Sequence, residues 1–151
     1  ICEACASMSQ DKVGALILLT QENNLNEIVE TGVVIDAVIS KPLLENIFFK
    51  NSPLHDGAMV ISNNKIEAAR CILPITQNIN LPGSYGLRHR AGIGITENSD
   101  CIAIVVSEET GGIRIIKNGK VHEVKASEMK AKIKELSNKE FRNSRIQEFR
   151  S

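Results

Sequence analysis

Aromatic side chains are scarce in this chain of 151 residues, which has four Phe, one Tyr and no Trp. Ile, Val, Leu and Ala must therefore build the core, and a hydrophobic content of 42% suits one soluble domain of this length. An excess of one charge is also lacking, since 18 basic and 18 acidic side chains give a formal net charge of zero. This balance argues against a protein whose main partner is a nucleic-acid backbone.

Long hydrophobic runs are missing as well. No apolar stretch approaches the length of a membrane span, and no signal peptide is visible. The first residue is Ile1 and not Met, so we expect the sequence to be a fragment of a longer protein. We expect residues 1–136 to form the domain. Residues 137–151 are a charged tail, predicted to be either disordered or helical.

The four cysteines are Cys2, Cys5, Cys71 and Cys101. Cys2 and Cys5 have the spacing of half of a redox or zinc site, but no second Cys pair or His pair at metal spacing accompanies them. We therefore favour ordinary thiols on a first helix. Cys71 and Cys101 lie in strand-like runs, where we expect small core residues in a reducing compartment.

Hydrophobic periodicity predicts an alternation of helices and apolar strands in the first half of the chain, with hairpins later. We therefore predict a single α/β domain with a mixed parallel and antiparallel central sheet flanked by helices. The predicted helices cover 2–10, 25–30, 41–49, 87–96 and 127–136. The predicted strands cover 14–20, 33–40, 58–62, 65–73, 101–107, 113–116 and 121–124.

The stretch from Leu54 to Ala58 places His55 beside Asp56 and follows them with Gly57, which allows the backbone to approach a ligand closely. In an extended backbone His55 and Asp56 would point to opposite sides and serve different partners. One partner would be a metal ion or a second subunit. The same residue types are also common in a plain turn, which stays open as an alternative.

Arg88, His89 and Arg90 stand at the predicted start of a helix. Arginine offers a planar fork of donors that matches phosphate oxygens, and a helix N-terminus favours anions. Residues two apart on a helix do not share a face, so we expect one arginine to contact a ligand and the other to hold nearby structure. The alternative is a solvated basic patch.

Ser107, Glu108, Glu109 and Thr110 follow a strand predicted to be buried. Ligands of α/β sheets commonly lie outside the carboxyl ends of strands, and carboxylates and hydroxyls there could hold a divalent cation. An ordinary acidic turn is the alternative. No glycine pattern of a Walker loop or a dinucleotide-binding fingerprint is present.

Together these stretches resemble the diadenylate cyclase domain, whose hallmarks are an Asp-Gly-Ala motif and an Arg-His-Arg motif, here at 56–58 and 88–90. The agreement covers roughly residues 12 to 125. Stretches outside the two motifs also agree with the family. They are the Gly-Ala-Leu-Ile-Leu strand from Gly14, the loop that begins at Asn51, Leu73-Pro74 and the turn after Val106. The chain most resembles the branch whose cyclase domain follows membrane helices. The resemblance therefore implies a cytoplasmic domain in a membrane-attached parent protein.

The resemblance implies that two ATP molecules are condensed to cyclic di-AMP with release of two pyrophosphates. Asp56 and Arg88 are then expected to be catalytic, Asp56 at the ribose 3′-hydroxyl and Arg88 on the triphosphate. His55, Asp56 and Glu109 are the expected ligands of Mn²⁺ or Mg²⁺, with Co²⁺ as a further option. The residues expected to bind ATP are Gly57, Ala58, Leu73, Leu87, Arg88, His89, Arg90, Ser107 and Glu108.

Leu87 departs from the family pattern, because many relatives have Thr immediately before Arg-His-Arg. The change removes a hydroxyl that could donate to a phosphate, a loss of about 0.5–1.5 kcal/mol for one neutral hydrogen bond. Leu87 thus leaves room for a second hypothesis, a regulatory domain that binds ATP or cyclic di-AMP with weak turnover. A third hypothesis is a structural module in which the motifs are ordinary turns. It requires that three such turns match the motifs of the family, in the same order, by coincidence.

The product constrains assembly, because each 3′-oxygen attacks the α-phosphorus of the other nucleotide. Two subunits that meet about a two-fold axis, each holding one ATP, are the simplest catalyst. We therefore expect a homodimer, with ATP as substrate, cyclic di-AMP as product and no nucleic-acid partner.

Overall fold

The computed structural model describes residues 1–74, 83 and 85–137. Most of the predicted 74–84 loop and residues 138–151 of the predicted tail lie outside this part of the chain. The helices are α1 (Cys2–Gln10), α2 (Asn26–Val29), α3 (Lys41–Phe48), α4 (Leu87–Asn98) and α5 (Met129–Leu136), the last preceded by a 3-10 turn at Ala126–Glu128. The strands are β1 (Ala15–Leu19), β2 (Val33–Val38), β3 (Ala58–Ser62), β4 (Lys65–Cys71), β5 (Ile102–Val106), β6 (Ile113–Lys117) and β7 (Lys120–Val124).

The seven strands form one mixed sheet in the order β2-β4-β3-β1-β5-β6-β7. β1 pairs with β3 in parallel, and the other neighbouring pairs are antiparallel. The predicted α/β class with a mixed sheet is confirmed.

Helices cover both faces of the sheet, which explains why the central strands are continuously apolar. Along β1, Ala15 and Ile17 face the core under α1, α3 and α5. Leu16 and Leu18 face the opposite core, which includes residues of α4 and the start of α2. Each side of β1 is thus buried, and no position along the strand needs a polar side chain.

Local signals in the sequence explain several element boundaries. Ser40 caps α3 by accepting a hydrogen bond from the amide of Leu43 at 3.2 Å, with Pro42 in the first turn. Asn118 and Gly119 both have positive φ, as a two-residue hairpin turn requires. The predicted helix at 127–136 is corrected in detail, because its first turn is 3-10 rather than α-helical.

The residues of the three motif stretches lie together at one edge of the sheet, formed by strand ends. β1 and β3 begin at this edge, while β4 and β5 end there, because β1 runs parallel to β3 and antiparallel to β5. Helix α4 contacts β1, β5 and β6, and its first turn carries the Arg-His-Arg residues. The fold therefore brings the three motif stretches together from sequence separations of about 20 to 50 residues.

Candidate active site

A polar cleft of about 600 Å³ opens at this edge of the sheet. It combines the loop before β3, the start of α4 and the turn after β5. Its lining residues are His55, Asp56, Gly57, Gly86, Leu87, Arg88, His89, Val106, Ser107, Glu108 and Glu109. All three stretches that the sequence singles out therefore meet in one cavity.

The loop before β3 holds His55 and Asp56 on the same side. The amide of Leu54 donates to the Ser52 hydroxyl at 3.1 Å, and the His55 amide donates to the Ser52 carbonyl at 3.3 Å. The backbone therefore bends here, and His55 Nε2 lies 3.2 Å from Asp56 Oδ1. The expectation that these side chains point to opposite sides is wrong, because it assumed an extended backbone.

The tautomer of His55 follows from its second nitrogen. Nδ1 lies 2.7 Å from the Ser52 carbonyl, which can only accept, so Nδ1 carries the proton. In the neutral imidazole, Nε2 then presents a lone pair toward the Asp56 carboxylate. Two acceptors at 3.2 Å repel each other unless a proton or a cation lies between them.

Gly57 immediately precedes β3 and lies against the end of β4. Its φ is +79°, and a Cβ at this position would lie 2.6 Å from the carbonyl oxygen of Cys71. Both the dihedral angle and the contact exclude a larger residue. Gly57 therefore lets the chain turn from Asp56 into the buried strand.

Arg88 extends into the cleft from the first turn of α4. Its Nη1 lies 3.7 Å from Glu108 Oε1, and its side chain is 23% exposed. Its Nε is buried and has no hydrogen-bond partner among the described residues. The guanidinium is therefore largely enclosed by the protein, with one edge toward the turn after β5.

The other two residues of the Arg-His-Arg motif contact protein groups. Arg90 lines neither the polar cleft nor the apolar pocket described below, and its Nε donates to the Tyr85 carbonyl at 3.2 Å. The His89 ring stacks on the Tyr85 ring with 5.3 Å between centroids. Arg88 thus lines the cleft while Arg90 holds nearby structure, and contact of one arginine with a ligand stays a prediction.

His89 is buried and neutral. Arg114 Nη1 lies 2.9 Å from His89 Nε2, and since a guanidinium can only donate, Nε2 accepts. Burial, reinforced by the positive charges of Arg114 and Arg88, lowers the pKa of His89 to about 4. Arg114 also lies over the Tyr85 ring, 5.3 Å from its centroid, so both side chains contact His89 and each other.

The turn after β5 is ordered by the Ser107 hydroxyl, which accepts hydrogen bonds from the amides of Glu109 and Thr110, both at 3.2 Å. The amide of Gly111 donates to the Ser107 carbonyl at 2.9 Å, which closes the turn. These bonds leave the carboxylates of Glu108 and Glu109 exposed at the cleft. The turn therefore adds negative charge to a cavity that also contains the cationic Arg88.

An apolar pocket of about 210 Å³ adjoins the polar cleft. It lies between β4, the start of β3 and the first turns of α4. Its lining residues are Leu16, Gly57, Ala58, Cys71, Ile72, Leu73, Leu87, Arg88 and Ala91. Gly57, Leu87 and Arg88 line both cavities, so the two adjoin at these residues. A ligand with one apolar ring and one highly charged end would match this pair of cavities.

Comparison with known proteins identifies the family. A family model described as "DAC: DisA bacterial checkpoint controller nucleotide-binding" matches residues 2–121. The chain belongs to the diadenylate cyclase (DAC) family.

Relatives of this DAC domain carry matching names. It is 40% identical to the cyclic di-AMP synthase CdaA of Bacillus subtilis, over 95% of this chain and 52% of that protein. It is 46% identical to a diadenylate cyclase of Listeria monocytogenes, over 76% of this chain and 42% of that protein. The chain thus spans about half the length of the curated relatives it matches.

Solved structures agree with the fold. A crystal structure of DacA from Staphylococcus aureus, a double mutant, superposes with a TM-score of 0.86 at 39% identity and covers 89% of this chain and 90% of that one. A hypothetical membrane spanning protein from Bacillus cereus has a TM-score of 0.79 at 41% identity, covering 82% and 60%. In the described part of this DAC domain, no helix is long and apolar enough to cross a membrane.

The metal ligands expected in the DAC domain are only partly assembled. His55 and Asp56 are adjacent, and Glu109 lines the same cleft. Within residues 1–74, 83 and 85–137, however, no three His, Cys, Asp or Glu side chains stand close enough together to hold a metal ion. The protein alone therefore provides an incomplete coordination shell, and a bound ligand would have to supply further oxygens.

The cysteines of the DAC domain are free thiols. Burial raises the pKa of Cys5 to about 12 and those of Cys71 and Cys101 to about 11. Protonated, buried thiols are poor nucleophiles and poor metal ligands. The preference for core thiols over a redox or zinc site agrees with this burial.

Sequence reasoning missed Ser52, Tyr85 and Arg114, which orient His55 and His89. Ser52 and Tyr85 gave no signal beyond being near the motifs. Arg114 did give one, because it interrupts the apolar strand β6 on the face covered by α4. A charged residue at such a position requires a polar partner under the helix, and here that partner is His89.

Proposed function

We propose that this domain condenses two ATP molecules into cyclic di-AMP and releases two pyrophosphates. The observation that carries the proposal is the single cleft lined by both Asp56 and Arg88, with an apolar pocket adjoining it. Membership of the DAC family and relatives named as cyclic di-AMP synthases support it.

Asp56 is proposed to act on the ribose 3′-hydroxyl. Its side chain is 75% exposed at the mouth of the cleft, so a substrate hydroxyl can reach it. A carboxylate at this place can orient the hydroxyl and accept its proton as the 3′-oxygen attacks phosphorus. The adjacent Gly57 has no side chain that would obstruct the sugar.

Arg88 is proposed to bind the triphosphate. The guanidinium carries a permanent positive charge and offers donors that match phosphate oxygens. In the reaction it would hold the α-phosphorus in line with the attacking oxygen and stabilise charge on the departing pyrophosphate. Ser107, Glu108 and His89 line the same cleft and are proposed to surround the phosphates.

The apolar pocket is proposed to receive the adenine ring. Leu73 and Ala58 line it, and an aromatic base buried there gains hydrophobic contact without requiring a charged partner. Leu87, 71% exposed between the pocket and the cleft, is proposed to cover the nucleoside. Arg90 is proposed to support nucleotide binding indirectly, by holding the backbone that precedes α4.

Diadenylate cyclases use a divalent metal ion, and we propose Mn²⁺ or Mg²⁺, with Co²⁺ also compatible. The donor set fits such an ion, since His55 Nε2 lies 3.2 Å from an Asp56 carboxylate oxygen and both atoms can donate a lone pair to a cation. Glu109 lines the same cleft and would have to move toward them to become a third protein ligand. When bound, the ion would neutralise developing negative charge on the reacting phosphates.

Turnover is proposed to need two copies of the domain, face to face. Each 3′-oxygen must attack the α-phosphorus of the other nucleotide, and each chain has one cleft lined by Asp56 and Arg88. A two-fold axis would bring the 3′-hydroxyl activated by Asp56 of one copy to the α-phosphorus held by Arg88 of the other. A monomer would then bind ATP without closing the ring.

The cellular setting is proposed to be the cytoplasmic face of the membrane, through a segment outside this sequence. One supporting observation is the structural similarity to a protein described as membrane spanning. Fractionation of cells that express the full-length protein tests this: the domain should sediment with membranes, and recovery in the soluble fraction would contradict it.

Incubation with ATP and Mn²⁺, followed by chromatography, tests the proposed activity. We expect cyclic di-AMP and pyrophosphate in a ratio of one to two, and their loss in Asp56→Asn. ATP binding without product would instead favour the regulatory alternative that Leu87 leaves open. A protein that neither binds ATP nor forms product would contradict both functions.

A further inference from the structure

Gly14, immediately before β1, lies against the guanidinium of Arg88. A Cβ at Gly14 would lie 2.6 Å from Arg88 Nη1, 2.7 Å from Cζ and 3.1 Å from Nη2. Because Cζ is nearly as close as the nearer nitrogen, the flat face of the guanidinium lies over the glycine. Even the smallest side chain at Gly14 would occupy the space that this group now fills.

The backbone of Gly14 gives no other reason for glycine. Its φ lies outside the left-handed region, in contrast to Gly57, Gly111 and Gly119, which have φ near +77°. A Cβ at Gly32 would strike a backbone oxygen at 2.5 Å, whereas at Gly14 the three nearest atoms all belong to one side chain. The local backbone of Gly14 therefore accepts alanine, and the methyl group would instead displace the Arg88 guanidinium.

The other contacts of Arg88 define a slot. Its Nη1 faces Glu108 Oε1 at 3.7 Å, while its buried Nε has no hydrogen-bond partner in the described part of the chain. No hydrogen bond therefore fixes Nε, and the close packing against Gly14 confines the group instead. A methyl group at Gly14 would push the guanidinium out of this slot, since the end of a long side chain moves more readily than the sheet.

We propose that Gly14 is a positioning residue for the reaction, because its missing side chain keeps open the slot that holds the Arg88 guanidinium. Its functional consequence rests on the proposed role of Arg88 in binding the triphosphate. The pattern expected of such a residue is a large loss of function with little loss of stability. A glycine needed only for folding would show the reverse.

Gly14→Ala tests the proposal through a double-mutant cycle with Arg88→Ala. We expect the denaturant midpoint of Gly14→Ala to stay close to that of the native protein, while ATP affinity falls about tenfold or more. In the Arg88→Ala background the same change should have no further effect on ATP affinity, because the displaced group is gone. Equal losses in both backgrounds would overturn the proposal.

Gly119→Ala provides the matched control. This glycine also contacts the side chain of an α4 residue, with a Cβ 2.8 Å from Glu97 Cγ, but at the opposite end of the helix. We expect Gly119→Ala to reduce stability and to combine additively with Arg88→Ala in ATP affinity. Coupling as large as that of Gly14 would show that any strained glycine near α4 disturbs Arg88, which would overturn the proposal.

A spectroscopic measurement separates this inference from the proposed function. The Nε–Hε resonance of Arg88, assigned by its loss in Arg88→Lys, should shift and exchange faster with solvent in Gly14→Ala. An unchanged resonance would refute the positioning role whatever the native protein catalyses. If the resonance shifts in Gly14→Ala but the native protein makes no cyclic di-AMP, the proposed function is refuted and the positioning role stands.

Discussion

The polar cleft and the apolar pocket share Gly57, Leu87 and Arg88, yet different parts of the fold build them. The other residues of the cleft lie at the ends of strands and helices. There the hydrogen bonds of Ser52 and Ser107 hold the turns that carry its polar side chains. The pocket takes most of its residues from the sheet edge and from α4. The turns thus give the cleft its charged groups, whereas the packed sheet and helix give the pocket its apolar walls. Substitutions in the cleft should therefore change turnover, and those in the pocket should change affinity.

The largest expected effect belongs to the cleft. Asp56→Asn should lower kcat about a thousandfold, because an amide cannot accept the proton of the 3′-hydroxyl. ATP affinity measured by calorimetry should change far less than kcat. Asp11→Asn, an exposed residue at the end of α1, is the control and should keep native turnover. An equal fall in affinity and in kcat for Asp56→Asn would remove the distinction between the two cavities.

The residue shared by both cavities should show a mixed effect. Arg88→Lys keeps the charge but loses the planar fork, so we expect kcat/KM for ATP to fall about a hundredfold, with contributions from both kcat and KM. Steady-state kinetics at several ATP concentrations would measure both. Native kinetics in this variant would mean that the fork does not hold the triphosphate.

A smaller effect is expected in the pocket. Leu73→Ala removes apolar surface that we propose covers adenine, so KM for ATP should rise about tenfold while kcat stays near its native value. Val38→Ala changes an exposed apolar residue on the edge strand β2 and should alter neither constant. If Leu73→Ala lowers kcat with KM unchanged, the pocket takes part in the reaction itself.

The last expected effect concerns stability and its dependence on pH, and not turnover or affinity. Because the pKa of His89 is lowered to about 4, the unfolded chain binds a proton between about pH 6.5 and pH 4 that the folded chain does not. Stability from this group is therefore complete above about pH 6.5 and falls by up to about 3 kcal/mol as the pH drops to 4.

Urea unfolding of the native protein and of His89→Gln across this range would measure that contribution. Glutamine keeps an acceptor for Arg114 but does not titrate, so the stability difference between the two proteins should change with pH. A difference that is constant from pH 7 to pH 4 would mean that His89 titrates alike in the folded and the unfolded protein. The contact of Arg114 with His89 would then not favour a neutral imidazole that accepts a hydrogen bond.

The sequence predicted the sheet well because its strands have continuous apolar runs that only a doubly covered sheet would bury. It singled out residues that line the cleft because the motifs flank these strands. It failed at the relation of His55 to Asp56, since the bend depends on hydrogen bonds to Ser52 that no periodicity records. It also missed the contact between Arg114 and His89, which requires the packing of α4 on β6.

Formation of a mixed dimer most directly tests the claim that Asp56 of one copy activates the 3′-hydroxyl that attacks the α-phosphorus held by Arg88 of its partner. Asp56→Asn and Arg88→Ala, each without activity alone, would be mixed at saturating ATP with Mn²⁺. One of the two bond-forming sites in a mixed dimer then keeps both residues, so a linear dinucleotide and one pyrophosphate should form without cyclic product. If the mixture stays as inactive as its components although dimers form, Asp56 and Arg88 do not act across the interface.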